Sequence, residues 1–129
     1  MKLFNILFIS IIFLAGIFLS NKTFAQQQDP YLPFAEVMPQ PDGGLAAIYK
    51  HITYPDIARK AGIEGKVYAL IYINENGGVD DVKILKGIGA GCDHAAIAGI
   101  EAVKFTPGKN KGVPVKVKLS LAITFKLEQ

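Results

Sequence analysis

Cys92-Asp93-His94 sets a thiol, a carboxylate and an imidazole side by side, the groups from which nucleophilic catalysis is built. Successive side chains on a helix point about 100° apart, so a nucleophile and base at adjacent positions do not meet within hydrogen-bond reach. The tripeptide reads instead as a helix start, with Asp93 as cap or first-turn acid and Cys92 packed beneath it. His51 is the only other histidine and stands at no metal-ligand spacing from His94. Gly87-x-Gly89-x-Gly91 follows a strand pattern and precedes a helix pattern, as a dinucleotide loop does. That fingerprint also needs a parallel βαβ unit and an acid about 20 residues on, where this chain has Pro107. Asp80 and Asp81 are neighbours on a strand and face opposite sides, so they do not form a carboxylate pair. Glu64, Glu75 and Glu101 are isolated. These residues give no catalytic set, no metal site and no cofactor site, and the expectation is a protein that is not an enzyme.

The elements around these residues belong to two unlike pieces of chain. The whole sequence has 129 residues, a formal net charge of +3 and 50% hydrophobic residues, and its mean hydropathy is +0.30. Residues 1–25 hold much of that apolar excess: a Lys2 start, an apolar run from Leu3 to Ser20, and a Thr23-Phe24-Ala25 ending. This is the pattern of a secretory signal peptide, with cleavage expected after Ala25. The competing reading is an uncleaved inner-membrane anchor. Without Lys2 and Lys22 the remainder carries 12 basic and 11 acidic residues, a net charge of +1. Nucleic-acid binding then loses its support. An exported chain with one cysteine forms no internal disulfide, so Cys92 is free or pairs between chains.

Residues 26–42 contain four of the seven prolines and show no usable period. They read as an extended leader rather than a folded element, reaching no further than about 60 Å at roughly 3.4 Å per residue. The folded domain is expected over 43–129. Leu45, Ile48, Tyr49 and Ile52 stand at helical spacing. A second short helix has Pro55 at its first position, Asp56 at its positive end, Arg59 and Lys60 at its negative end, and Gly62 as a left-handed stop. Ile57, Ala58 and Ala61 would be its buried face. Gly65 to Asn74 reads as a strand paired on both edges, and Glu75-Asn76-Gly77-Gly78 as a hairpin turn. Val79 to Lys86 returns as a strand with Val82, Ile84 and Leu85 inward or half-inward. Asp93 to Lys104 is the main helix, with Ala96, Ile97, Ile100 and Val103 as its stripe, and Lys109 to Gly112 is a polar loop.

From Val113 to Leu127 every odd position is apolar, while Lys116, Lys118, Ser120, Ala122, Thr124 and Lys126 fill even ones. Period two over this length predicts one long strand, buried on one face and wet on the other. The fold class is α+β: a small three-stranded antiparallel sheet packed against two or three short helices. A long regular strand at a sheet edge offers a row of backbone donors and acceptors to which an extended peptide can add. The alternative is pairing of that strand with itself across a homodimer.

Several motifs occur in order: Tyr54-Pro55-x-x-Ala58-x-x-x-Gly62-Ile63-x-Gly65-Lys66-Val67, Asn76-Gly77-Gly78-Val79, Val82-x-Ile84-Leu85, Phe105-x-Pro107-Gly108 and Gly112-x-Pro114-Val115. Together they resemble the TonB C-terminal domain family over about 38–127, and Met38-Pro39 through Gly43-Gly44 looks like the leader of one branch of TonB-like proteins. The resemblance implies a periplasmic domain that binds the Ton box, a short extended segment of an outer-membrane TonB-dependent transporter, in support of energy-dependent transmembrane transport. It places the peptide against Val117, Lys118, Leu119, Ser120 and Leu121, with Tyr54 and Pro55 alongside. A separate anchored energising complex is the other implied partner. Two departures stand out. The leader is short for the proline-rich linker of a full transducer, and Lys104 occupies a position that is usually aromatic in the family.

Overall fold

A computed structural model describes residues 28–128. The signal or anchor expected over 1–25 lies outside the described residues, as does the start of the leader. The chain forms β1 (Gln40–Pro41), α1 (Leu45–Lys50), α2 (Asp56–Ala61), β2 (Gly65–Ile73), β3 (Val79–Lys86), α3 (Cys92–Glu101), β4 (Phe105–Thr106), β5 (Gly108–Asn110), β6 (Val113–Val115) and β7 (Val117–Phe125). The principal sheet is antiparallel with order β3-β2-β7, as expected for an α+β fold with the Gly65 strand at the centre.

β2 sits centrally because its odd positions carry the core. Val67, Ala69, Ile71 and Ile73 are all fully buried, while Lys66 and Tyr68 between them face solvent. Its ladder to β7 is unbroken over nine pairs, from Gly65–Phe125 to Ile73–Val117. A one-residue slip would turn every core side chain of β7 outward, so burial of Val117, Ile123 and Phe125 pins this register. The ladder to β3 is less regular, with shifts after Tyr68 and after Tyr72. The β2–β3 turn is held by Asn74, whose side-chain oxygen accepts the N–H groups of Asn76 and Gly78. Gly77 has φ +81, and a Cβ there would lie 1.8 Å from the Phe105 carbonyl oxygen. Only glycine lets the turn approach closely enough for the Phe105 N–H to donate to the Gly77 carbonyl at 2.9 Å.

α3 covers the sheet with Cys92, Ala96, Gly99 and Ile100. Gly99 allows close contact with α1, where Ile48 is fully buried. α2 ends at Gly62 with φ 66, and its single buried residue is Ala58. Three expectations are corrected here. Pro55 is the N-cap rather than the first helical residue, because its ψ of 138 is extended. Ile57 is 73% exposed and Ala61 is exposed, so the helix is too short to bury more than one position. Leu85 is 59% exposed because it falls beside the register shift that rotates the end of β3.

The expected single strand from Val113 to Leu127 is also corrected. It breaks at Lys116 into β6 and β7, and β6 pairs back onto β5 across the turn at Lys111 and Gly112, so that Lys109 and Asn110, expected in a polar loop, lie in β5. Val113 is consequently 61% exposed despite its place in the apolar alternation. The leader, expected to be extended rather than a folded element, docks on the domain. β1 pairs with β4, Val37 pairs with Lys109, and Leu32 forms a parallel bridge to Val117. Pro39 and Ala35 are buried by this docking.

Candidate functional site

A three-stranded sheet has two edges, and these two differ. β3 presents bulged backbone and alternating charges at Asp80, Asp81, Lys83 and Lys86, devices that discourage strand addition. β7 is straight and regular over its nine residues. In an antiparallel ladder, alternate residues direct both N–H and C=O to the neighbour, and the residues between direct theirs the other way. Lys118 donates its N–H to Leu32 O at 2.9 Å, and the Lys116 carbonyl accepts from Leu32 N at 2.9 Å, both on the side away from β2. The even residues of β7 therefore point outward, and the odd ones bond to β2. Thr124 agrees: its N–H donates to the Tyr49 hydroxyl oxygen at 2.9 Å.

The outer edge is thus closed at both ends by the chain itself. Leu32 holds Lys116 and Lys118, and Tyr49 of α1 holds Thr124. Among the described residues, nothing bonds the outward N–H groups of Ser120 and Ala122. The Lys118 and Ala122 carbonyls and both groups of Ser120 complete the open stretch. On one side of this edge lie Leu119 and Leu121, half-buried and packed against the core. On the other lie Lys118, Ser120 and Ala122 on the wet face. A strand laid here would meet apolar contacts on one face and hydroxyl or ammonium groups on the other.

The leader's hold is more than one bridge. Asp29 Oδ2 lies 2.9 Å from Lys118 Nζ, and this hydrogen bond, followed by that from the Tyr31 N–H, holds the Asp29 carboxyl below its ordinary value. Tyr31 crosses the wet face of the sheet and meets Tyr72 edge-on, with ring centroids 5.0 Å apart. Its hydroxyl donates to Asp80, which pushes the Tyr31 phenol up to about 12. The Lys116 ammonium stands 5.5 Å from the centre of the same ring.

The residues expected to bind peptide do not form one cluster. Val117, Lys118, Leu119, Ser120 and Leu121 lie in the first half of β7. Tyr54 packs edge-on against Phe125 at the strand's other end, with centroids 5.5 Å apart, and its hydroxyl donates to the Ile63 carbonyl. Pro55 caps α2 and lies where a Cβ on Gly91 would touch it. Both residues help to hold α2 and the Gly87–Gly91 loop against the sheet. Tyr31, Leu32 and Tyr49 were missed in the sequence because an isolated Pro-Tyr-Leu-Pro tract and a short helix carry no sign of which edge they will meet.

The remaining candidate chemistry resolves into structure. Cys92 is fully buried, and burial pushes its thiol up, aided by the nearby Asp93. The Asp93 carboxylate accepts the Ile88 N–H and fills the space beside Gly87. The Gly87–Gly91 loop is thereby filled by its own helix. Asp80 is held by Tyr31 and Asn74. Among the described residues no group of three or more His, Cys, Asp or Glu side chains is placed to hold a metal ion.

Residues 50–127 match the family model described as Gram-negative bacterial TonB protein C-terminal. The chain belongs to the TonB C-terminal domain family. It is 40% identical over 76 residues to the protein TonB of Vibrio cholerae, a stretch covering 58% of this chain and 31% of the Vibrio protein. The chain thus spans about a third of that relative's length. Two solution structures of the Helicobacter pylori TonB C-terminal domain share its fold at 30% identity. One has a TM-score of 0.53 and covers 65% of this chain and 89% of its own. The other has a TM-score of 0.51 and covers 66% and 78%. The family match starts at Lys50, so the docked leader and most of α1, including Tyr49, lie outside it. Among the described residues no helix is long and apolar enough to cross a membrane.

Proposed function

We propose that this domain binds an extended, Ton-box-like segment of an outer-membrane transporter by adding it to β7 as a fourth strand, in support of energy-dependent transmembrane transport. The domain is placed in the periplasm, either freed by cleavage after Ala25 or held at the inner membrane by residues 1–25, and an anchored energising complex is its second partner. The observation that carries the reading is the regular outer edge of β7, with Ser120 and Ala122 presenting open backbone groups between two self-made stops. Main-chain bonds give such a complex its affinity. Side chains meeting Leu119 and Leu121 on one face and Lys118 on the other give it selectivity. Binding needs no catalytic residue, which fits the structural employment of Cys92, Asp93 and Asp80.

Titration of the isotope-labelled protein with a synthetic Ton-box peptide tests this directly. Amide shifts at Lys118 to Thr124 are expected, and the Tyr54 amide and the Pro55 ring signals report whether those two residues lie beside the peptide. Shifts confined to β3 or the helices would refute the assignment of the edge. The alternative, self-association through the same edge, predicts changes at Ser120 and Ala122 that follow protein concentration and ignore the peptide. Amino-terminal sequencing of native protein decides between a start at Gln26 and an intact Met1.

A further inference from the structure

The N-terminal end of the β7 edge already has an occupant. Leu32 makes the pair of backbone bonds there that an added strand would make, to the Lys116 carbonyl and from the Lys118 N–H, each at 2.9 Å. It runs parallel to β7, and it makes only one rung. In a parallel pair alternate residues bond to the neighbour, so the next rungs would fall on Pro30, which has no N–H, and on Phe34, which makes no backbone bond to β7. Around this one rung the leader supplies what a bound peptide would supply through side chains. Asp29 neutralises Lys118, and Tyr31 covers Tyr72 on the wet face. A second station further along, where Val37 pairs with Lys109 and Glu36 bonds to the β5–β6 hairpin, ties the leader down independently. Phe34, between the stations, is 74% exposed. Residues 29–32 can therefore lift while the rest of the leader stays docked.

We infer that residues 29–32 are a built-in competitor for the strand that β7 accepts: a one-rung strap that must lift before an incoming segment can pair beyond Ser120 toward Lys116. The inference rests on the docking reading above and adds regulation to that site. With the strap down, a peptide reaches only the backbone groups from the Lys118 carbonyl to Ala122. With it up, the edge lengthens by a rung, Lys118 is released from Asp29, and the face of Tyr72 is uncovered. The partner that gains most is an extended segment long enough to span Lys116 to Ala122 and carrying its own carboxylate for Lys118.

The test compares the full chain with two strap variants, Asp29→Asn/Tyr31→Ala and Leu32→Pro, using a capped peptide of alternating threonine and valine, seven residues long. Leu32→Pro removes the donor to Lys116, while the two-site variant removes the side-chain hold. Thermal unfolding should be nearly unchanged, since the strap lies on the surface. Without peptide, the Lys118 amide should exchange with solvent about tenfold faster in both variants. With peptide, Kd should fall about tenfold, as when a competent state rises from roughly a tenth of the population to nearly all of it. Shifts should also spread from Ser120 and Ala122 to Lys118 and Lys116. Equal affinity in all three proteins, with shifts at Ser120 and Ala122, overturns the strap and leaves the docking reading standing. Weaker binding by the variants also overturns it, by making the leader part of the site. No edge shifts in any of the three overturns the docking reading and the strap with it.

Discussion

Proline substitution at adjacent positions of β7 separates the strand's two duties. Leu119 faces β2 through its backbone and pairs with Ile71, which is fully buried. Leu119→Pro removes the donor to the Ile71 carbonyl and leaves that acceptor unpaired inside the sheet, at about 1–3 kcal/mol. It also discards about 1–2 kcal/mol of packing from a half-buried leucine. The total, about 2–5 kcal/mol, is a large part of the 5–15 kcal/mol typical of a whole domain. At about 4–8 °C per kcal/mol for a domain near 100 residues, the melting temperature should fall by at least about 8 °C. Ser120 is exposed and turns its N–H away from β2. Ser120→Pro leaves the central ladder intact and should cost no more than about 1 kcal/mol of stability, since proline is tolerated where a strand's N–H faces solvent. It does remove one bond to an added strand and sets a ring in that strand's path, together about 1.4–2.8 kcal/mol, or a ten- to hundredfold rise in Kd. Circular dichroism melting and calorimetric titration with a Ton-box peptide measure the two effects separately. Ser120→Pro that unfolds as readily as Leu119→Pro would refute the alternation of the edge. A stable Ser120→Pro that binds peptide as tightly as the parent would refute β7 as the docking strand.

Gly77→Ala forces a side chain onto φ +81 and into the Phe105 carbonyl; a loss of about 2–4 kcal/mol in urea unfolding is expected, and a loss under 0.5 would contradict the close approach (~0.5 being the scatter of neutral surface changes). Cys92, fully buried with its thiol pushed up by burial, should resist alkylation at pH 8 until the domain unfolds, and Cys92→Ser should cost about 1–3 kcal/mol by burying a hydroxyl without a built partner. The strap has a pH window of its own. Asp29 titrates below its ordinary 3.8, so its contribution is complete above about pH 4 and is lost as pH falls through the lowered value. Tyr31 is raised from 10.0 to about 12, so its contribution is complete below pH 10 and is lost as pH rises through 12. Proton–proton contacts between the Tyr31 and Tyr72 rings should persist through that window and fade as Asp29 takes up its proton, while core methyl signals remain; contacts unchanged once the Asp29 carboxyl signal has titrated would contradict its role.

What was legible in the sequence was whatever local periodicity and burial jointly decide. β2 and β7 could be read because alternation and core-forming residues coincide at Val67 to Ile73 and at Val117 to Phe125. The Asn74–Gly78 turn and the Gly62 stop could be read because few residues but glycine fit their backbone. The break at Lys116 could not, because alternation continues through Val113 and Val115 although the chain there has left the sheet and turned back onto β5. Pattern reports which side chains alternate, not which backbone they pair with. Ile57 and Leu85 failed for the same reason: apolar identity marks a candidate for burial, but a six-residue helix and a bulged strand end have no facing surface left to cover them.

The leader is the sharper case, because its prolines argue against a long strand, and the only strand among its described residues is the two-residue β1, yet they do not argue against docking. A proline-rich segment lacks the donors for a continuous ladder, so it attaches at isolated rungs: Leu32, Val37 and the Gln40–Pro41 pair. Each rung is individually weak, since a net backbone bond is worth only about 1 kcal/mol. Their placement decides what they do. Those at Val37 and Gln40–Pro41 fasten the segment to the short hairpins and bury Ala35 and Pro39. The one at Leu32 falls on the long regular edge of β7, where it occupies bonds that an added strand would make. A β-rich segment in its place would pair along the whole of β7 and close the site, while a segment with no donor would leave the edge open to any strand. One rung between two prolines does neither, and this is why the edge of β7 can be both protected and available.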